Sequence, residues 1–152
     1  MKPLNRAALL DFMRAHRYAV EASVSPSGHP EAAVVGIVVT DELELFFDTL
    51  AITRKAGNLA GNARVAFVIG GTANDDERTV QYEGIADTPR GEELEHLKEL
   101  YFARFPDGRE RVTWPGITYF RIRPVWIRYS DFSRTPPEIV EFPPGEAPGA
   151  AE

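Results

Sequence analysis

Two cations at the start of a short helix are the residues of this chain best suited to chemistry. Thr53-Arg54-Lys55 comes just after an apolar run, Leu43 to Leu50, that turns polar at Asp48-Thr49. Thr53 suits an N-cap and Gly61-Asn62 suits a stop, so the spacing predicts a helix beginning at Arg54. A helix N-terminus carries partial positive charge and unpaired N–H groups, and it ordinarily selects Asp or Glu. Arg54 and Lys55 in that place make a receptor for an anion, a phosphate above all. The charges alone suit two solvated side chains equally well.

Other chemistries find little support. The chain has no cysteine, which removes disulfides, thiolate catalysis and cysteine metal sites. His16, His29 and His96 have no partner at metal-ligand spacing, so no metal site is expected. There is no Gly-x-Ser-x-Gly, and Gly57, Gly61, Gly70 and Gly71 do not form a dinucleotide-binding loop. A formal charge of -6 argues against a nucleic-acid binder. No apolar run reaches membrane-spanning length, and Met1-Lys2-Pro3-Leu4 does not open a secretion signal, so the expected location is cytoplasmic.

The elements that must position Arg54 and Lys55 read mainly as strands. Leu4 to Met13 has a helical apolar pattern, and Tyr18 to Val24 alternates as a strand does. Ala32 to Thr40 is nearly all apolar around Gly36, which marks a bend or a close approach. Arg64 to Ile69 and Arg78 to Ala86 are further strands, and Glu92 to Tyr101 carries the stripe of a helix. Ile117 to Ile122 and Val125 to Tyr129 read as two strands broken at Pro124. With 152 residues this gives one domain, 1–135, and a Pro-, Gly- and Glu-rich tail, 136–152, expected to be mobile. Links of hairpin length favour an antiparallel barrel over a wound parallel sheet.

The order Phe47-Asp48-Thr49, Thr53-Arg54-Lys55, Asn58-Leu59, Asn62-Ala63-Arg64-Val65-Ala66 resembles the pyridoxamine 5'-phosphate oxidase-like, FMN-binding split-barrel family. The later strand Arg78 to Gly84 supports it, and the likeness in element order runs from about Leu4 to Phe132. The resemblance implies a mainly β fold, an antiparallel six- to seven-stranded split β-barrel with peripheral α-helices. It implies a homodimer holding FMN at the subunit interface. Arg54 and Lys55 would hold the FMN phosphate with the Thr49 and Thr53 hydroxyls. Val34, Val35 and Gly36 would line the flavin ring, and Gln81 would bond its polar edge. Tyr119, Phe120 and Trp126 are the expected interface residues.

The departures concern substrate. The family's oxidases read Arg-x-Val-Leu-x-Lys where this chain has Ala33 to Val38, so both basic residues are missing. Their Tyr-x-x-x-Arg-Pro is echoed out of register by Tyr101 to Pro106, and a C-terminal Arg-x-His is absent. The implied activity is therefore that of an FMN-dependent oxidoreductase acting on a small molecule other than pyridoxamine phosphate. A non-catalytic flavin-binding protein, or a deazaflavin or haem binder on the same scaffold, are the alternatives.

Overall fold

The computed structural model describes residues 3–142. Strict alternation builds the strands: β1 (Tyr18–Val24) turns Ala19, Glu21 and Ser23 inward, and β6 (Arg78–Asp87) buries every second residue from Val80 to Ala86. Between them lie β2 (Pro30–Gly36), β3 (Val38–Val39), β4 (Leu45–Leu50) and β5 (Arg64–Gly70). β7 (Ile117–Asp131) and β8 (Glu138–Phe142) complete the set. The strands pair antiparallel in the order β2-β1-β5-β6-β7-β4-β3, with β8 against β7, and the sheet curls into a split barrel. Phe46, Phe47, Phe67 and Tyr82 fill its interior, and edge-on contacts such as Phe67 to Tyr82, 6.0 Å between centroids, hold them in place.

Among the described residues four helices lie around this sheet. α1 (Arg6–Arg14) starts where the Asn5 side chain accepts from Ala8 N at 2.8 Å, and it buries Leu9, Phe12 and Met13. α2 (Arg54–Gly61) packs on β1 and β2. α3 (Gly91–Arg104) and the single turn α4 (Gly108–Arg111) cover the end of β4. Among the described residues no helix is long and apolar enough to cross a membrane.

The sheet differs from expectation at four places. The apolar run from Ala32 splits at Ile37 into β2 and the two-residue β3, which sit at opposite ends of the strand order. Pro124 does not end a strand: Glu83 faces Trp126 and Gly84 faces Pro124, so Val125 is the extra residue of a bulge inside one long β7. Phe120, expected at an interface, is buried, and Tyr119 stacks on Phe46 at 5.8 Å, so both belong to the packing. Of the segment expected to be a mobile tail, Glu138–Phe142 is β8, paired along β7; residues 143–152 lie outside the described residues.

Gly84 makes the bulge possible. A Cβ there would lie 2.5 Å from Ile122 Cγ2 and 2.6 Å from the Arg123 carbonyl oxygen, and the backbone oxygen has nowhere to go. Gly84→Ala should therefore push β6 from β7 and destabilise the fold by about 1–3 kcal/mol. Urea unfolding measures this, and an unchanged midpoint would mean that the strands part at no cost.

Candidate functional site

The first turn of α2 is anchored before it can bind anything. Thr53 adopts extended backbone, and its Oγ1 accepts from Ala56 N as an N-cap. The same hydroxyl donates to the Leu50 carbonyl at 2.8 Å, so the 3.0 Å contact with Thr49 must carry the Thr49 proton. Both threonine protons are used inside the turn. The backbone N–H groups of Arg54 and Lys55 are the first-turn donors with no bond inside the chain among the described residues.

The two cations have different surroundings. The Arg54 guanidinium is 82% exposed and ion-paired with Glu31. Glu31 also accepts from Asn58 Nδ2 at 2.8 Å, and Asn58 donates to Ser23 Oγ at 3.1 Å, which fastens α2 to β1 and β2. Among the described residues Lys55 has no hydrogen bond or ion pair, and its charge acts on the Glu21 carboxylate. Glu21 is fully buried with one carboxylate oxygen unpartnered. Burial pushes its pKa above the ordinary 4.5, while the Ser23 hydroxyl and the Lys55 ammonium pull it down.

Lys55 opens into a cleft of about 290 Å³ that it shares with Val34, Val35 and Gly36. β2 ends the strand order, so among the described residues its far edge carries no strand partner, and Val34 is 67% exposed. The opposite wall comes from α3 and α4. Asp48, at the end of β4, accepts from Tyr101 OH at 3.0 Å and from Arg111 Nε at 2.9 Å, and Arg111 also binds Asp107 at 2.6 Å. Burial, with the Asp48 carboxylate, raises the Tyr101 pKa and keeps the phenol protonated. Phe105 fills the space a side chain at Gly36 would need: a Cβ would lie 2.7 Å from its Cζ. Gly36 thus permits a close approach, and the group that approaches is Phe105.

Lys55, Val34, Val35 and Gly36 therefore meet in one cleft, Thr49 and Thr53 bond each other at the start of α2 without lining it, and Arg54 stands outside it against Glu31. Gln81 does not join them. It is exposed on the outer face of β6, in a shallow depression with Val20, Val68 and Trp126. Asp48, Arg17 and Arg111 line the cleft without having been singled out in the sequence. Asp48 stands beside Thr49 in the motif and could have been found; Arg111 gives no signal until α3 and α4 fold back.

The pyridoxamine 5'-phosphate oxidase family pattern matches residues 6–131. No curated protein matches the chain. A haem-binding protein from Mycobacterium smegmatis has a similar structure, with a TM-score of 0.82 and 18% identity, covering 100% of this chain and 63% of that one. This chain thus spans less than two thirds of that relative's length. A haem storage protein from Vibrio cholerae gives 0.69 at 18% identity, covering 81% of this chain and 91% of that one. A pyridoxamine 5'-phosphate oxidase-related, FMN-binding protein from Nostoc punctiforme gives 0.64 at 15% identity, covering 88% and 85%. At these identities the likeness is one of fold.

Glu21 supplies a pH test of the region. Its raised pKa means that the folded chain holds the proton more tightly than the unfolded one. The stabilisation is fullest below 4.5 and is lost as pH rises through the raised value. Glu21→Gln cannot ionise. Relative to the parent protein it should gain melting temperature as pH rises from below 4.5 through the raised value. A difference that does not vary with pH would show that Glu21 does not titrate in this range.

Proposed function

This chain belongs to the pyridoxamine 5'-phosphate oxidase family, and we propose that it binds FMN in the Lys55 cleft as an oxidoreductase acting on a small molecule other than pyridoxamine phosphate. One observation carries the proposal: the uncommitted Lys55 ammonium lines the same cleft as Val34 to Gly36 of the edge strand β2, and it belongs to a helix start whose Arg54 and Lys55 N–H groups bond nothing among the described residues. Lys55 and the N–H groups suit a phosphate, and the Val34–Gly36 backbone suits the polar rim of a flat ring. Arg54 adds to phosphate binding only by leaving or bridging Glu31, so its share is the smaller. Thr49 and Thr53 hold the turn in shape. When bound, the flavin supplies the redox chemistry, and the chain supplies orientation and charge.

The surroundings argue against pyridoxamine phosphate. Ala33 and Val38 stand where the oxidases carry cations, and Arg104 donates to the Arg14 carbonyl at 2.7 Å, away from the cleft. Gln81 can reach a flavin in this cleft only from a second copy. The apolar outer face around Val20, Ala22, Ala66, Val68, Ile85 and Trp126 supports such a homodimer.

Haem is the second reading, favoured by the fold likeness to two haem proteins. The histidines oppose it in this cleft: His16 bonds the Phe12 carbonyl, His29 bonds Ser27, and His96 faces Arg121 and Arg123 in a separate cleft. A deazaflavin with a longer acidic tail would want further cations, but Arg64 lies off the cleft and Arg78 is held by Asp76. A flavin holder without catalysis would share every feature of the site. An absorption spectrum separates flavin, deazaflavin and haem, and reduction by a nicotinamide followed by reoxidation separates enzyme from holder.

A charged hydrogen bond to phosphate contributes roughly 1.5–3 kcal/mol, so Lys55→Ala should weaken FMN about 10- to 100-fold. Riboflavin, which lacks the phosphate, should bind the variant as it binds the parent, and Arg54→Ala should cost less. Equal loss of both flavins, or of neither, would take the phosphate away from the helix start. In sedimentation the parent should run as a dimer and Val68→Glu as a monomer; a flavin-bound monomeric parent would overturn the dimer.

A further inference from the structure

The cleft has a second cationic end. Arg17 lies just before β1, and its guanidinium sits over the Phe105 ring at 4.5 Å from the centroid, with Tyr18 at 5.9 Å. Phe105 is itself fixed in the space that Gly36 leaves open. A bare glycine thus seats an aromatic ring, and the ring seats a cation at the mouth of the cleft. Among the described residues Arg17 makes no hydrogen bond or ion pair through its side chain, and its charge acts on the Asp107 carboxylate. Asp107 is engaged by Arg111, and Asp48 by Arg111 and Tyr101. The lining holds three cations, Arg17, Lys55 and Arg111, against those two carboxylates, so the cleft is net positive in a protein of charge -6.

Arg17 and Lys55 belong to different ends of the β1–β2 pair. Arg17 precedes Tyr18, which pairs with Gly36, whereas the helix that carries Lys55 is clamped by Asn58 at Ser23 and Glu31, the pair near the other end. The stretch between them is the Val34–Gly36 edge of β2, with the exposed Val34 and Tyr18 as apolar surface.

We propose that Arg17 is a specificity-determining residue that binds the carboxylate or other anionic group of a small planar acid, at the end of the cleft opposite Lys55. The proposal rests on the FMN assignment for the Lys55 end and adds the chemical class of the substrate. Arg17 offers a planar fork of N–H donors whose one face is covered by Phe105, leaving its edge for a carboxylate.

Calorimetry on the flavin-loaded protein, with benzoate and the neutral isostere benzamide as probes, tests this. The parent should bind benzoate about 10- to 100-fold more tightly than benzamide. Arg17→Gln should remove that preference while its FMN affinity stays at the parent value, and Arg17→Lys should retain part of it. Parent protein that binds FMN but does not prefer benzoate overturns the proposal and leaves the function standing. So does an Arg17→Gln variant that keeps the preference, or one that loses FMN as Lys55→Ala does. Parent protein that takes up no FMN defeats the cofactor assignment instead, and the same titration without flavin then decides whether Arg17 selects the anion.

Discussion

Everything proposed for the cleft depends on α2 being seated on β1 and β2, and a partly buried polar clamp holds it there. Asn58 is buried one and a half turns into the helix and donates to both Ser23 on β1 and Glu31 on β2. Such a contact contributes only about 1 kcal/mol net, yet leaving its partners unpaired costs more. Its effect is therefore on geometry more than on stability: α2 cannot slide along the sheet without breaking two bonds at once. Glu31 extends the clamp to Arg54, and this explains why an arginine that suits an anion by type is already engaged with one.

The fold was largely legible in the sequence because strand alternation and cap chemistry are local. Thr53 caps α2 as its type and place require, and the helix ends at Gly61. The misreadings arose where distant chain decides. Pro124 ends a strand in isolation, but Gly84 on the neighbouring strand lets a bulge absorb it. Phe120 looked like interface because nothing in its own segment shows that Phe47 lies 5.8 Å away. For the candidate site, only the family resemblance joined Lys55 to Val34 to Gly36, and the fold brings these residues to one cleft. Arg17 and Arg111 were missed because they approach only once Phe105 and α4 pack back on the sheet.

Gly36 shows how one residue can meet two requirements. A strand glycine invites a ligand to approach the backbone, and in this protein the first group to do so is an aromatic side chain from α3's end. The result is a cleft whose apolar wall and cationic rim are set by the same substitution-sensitive position. Tyr101 and Asp48 close the far side with a protonated phenol and a carboxylate already satisfied by Arg111, so that wall is polar without being reactive.

β7 has one edge shared by two neighbours: β4 covers residues 117–122, and β8 covers residues 127–131. The strand from Glu138 to Phe142 therefore acts as a guard along a row of backbone donors and acceptors that nothing else in the described chain covers. A chain ending before Glu138 would keep the cleft and its cations but present five residues of open ladder to any other chain in solution. That open ladder invites edge-to-edge self-association, so β8 protects colloidal behaviour more than chemistry.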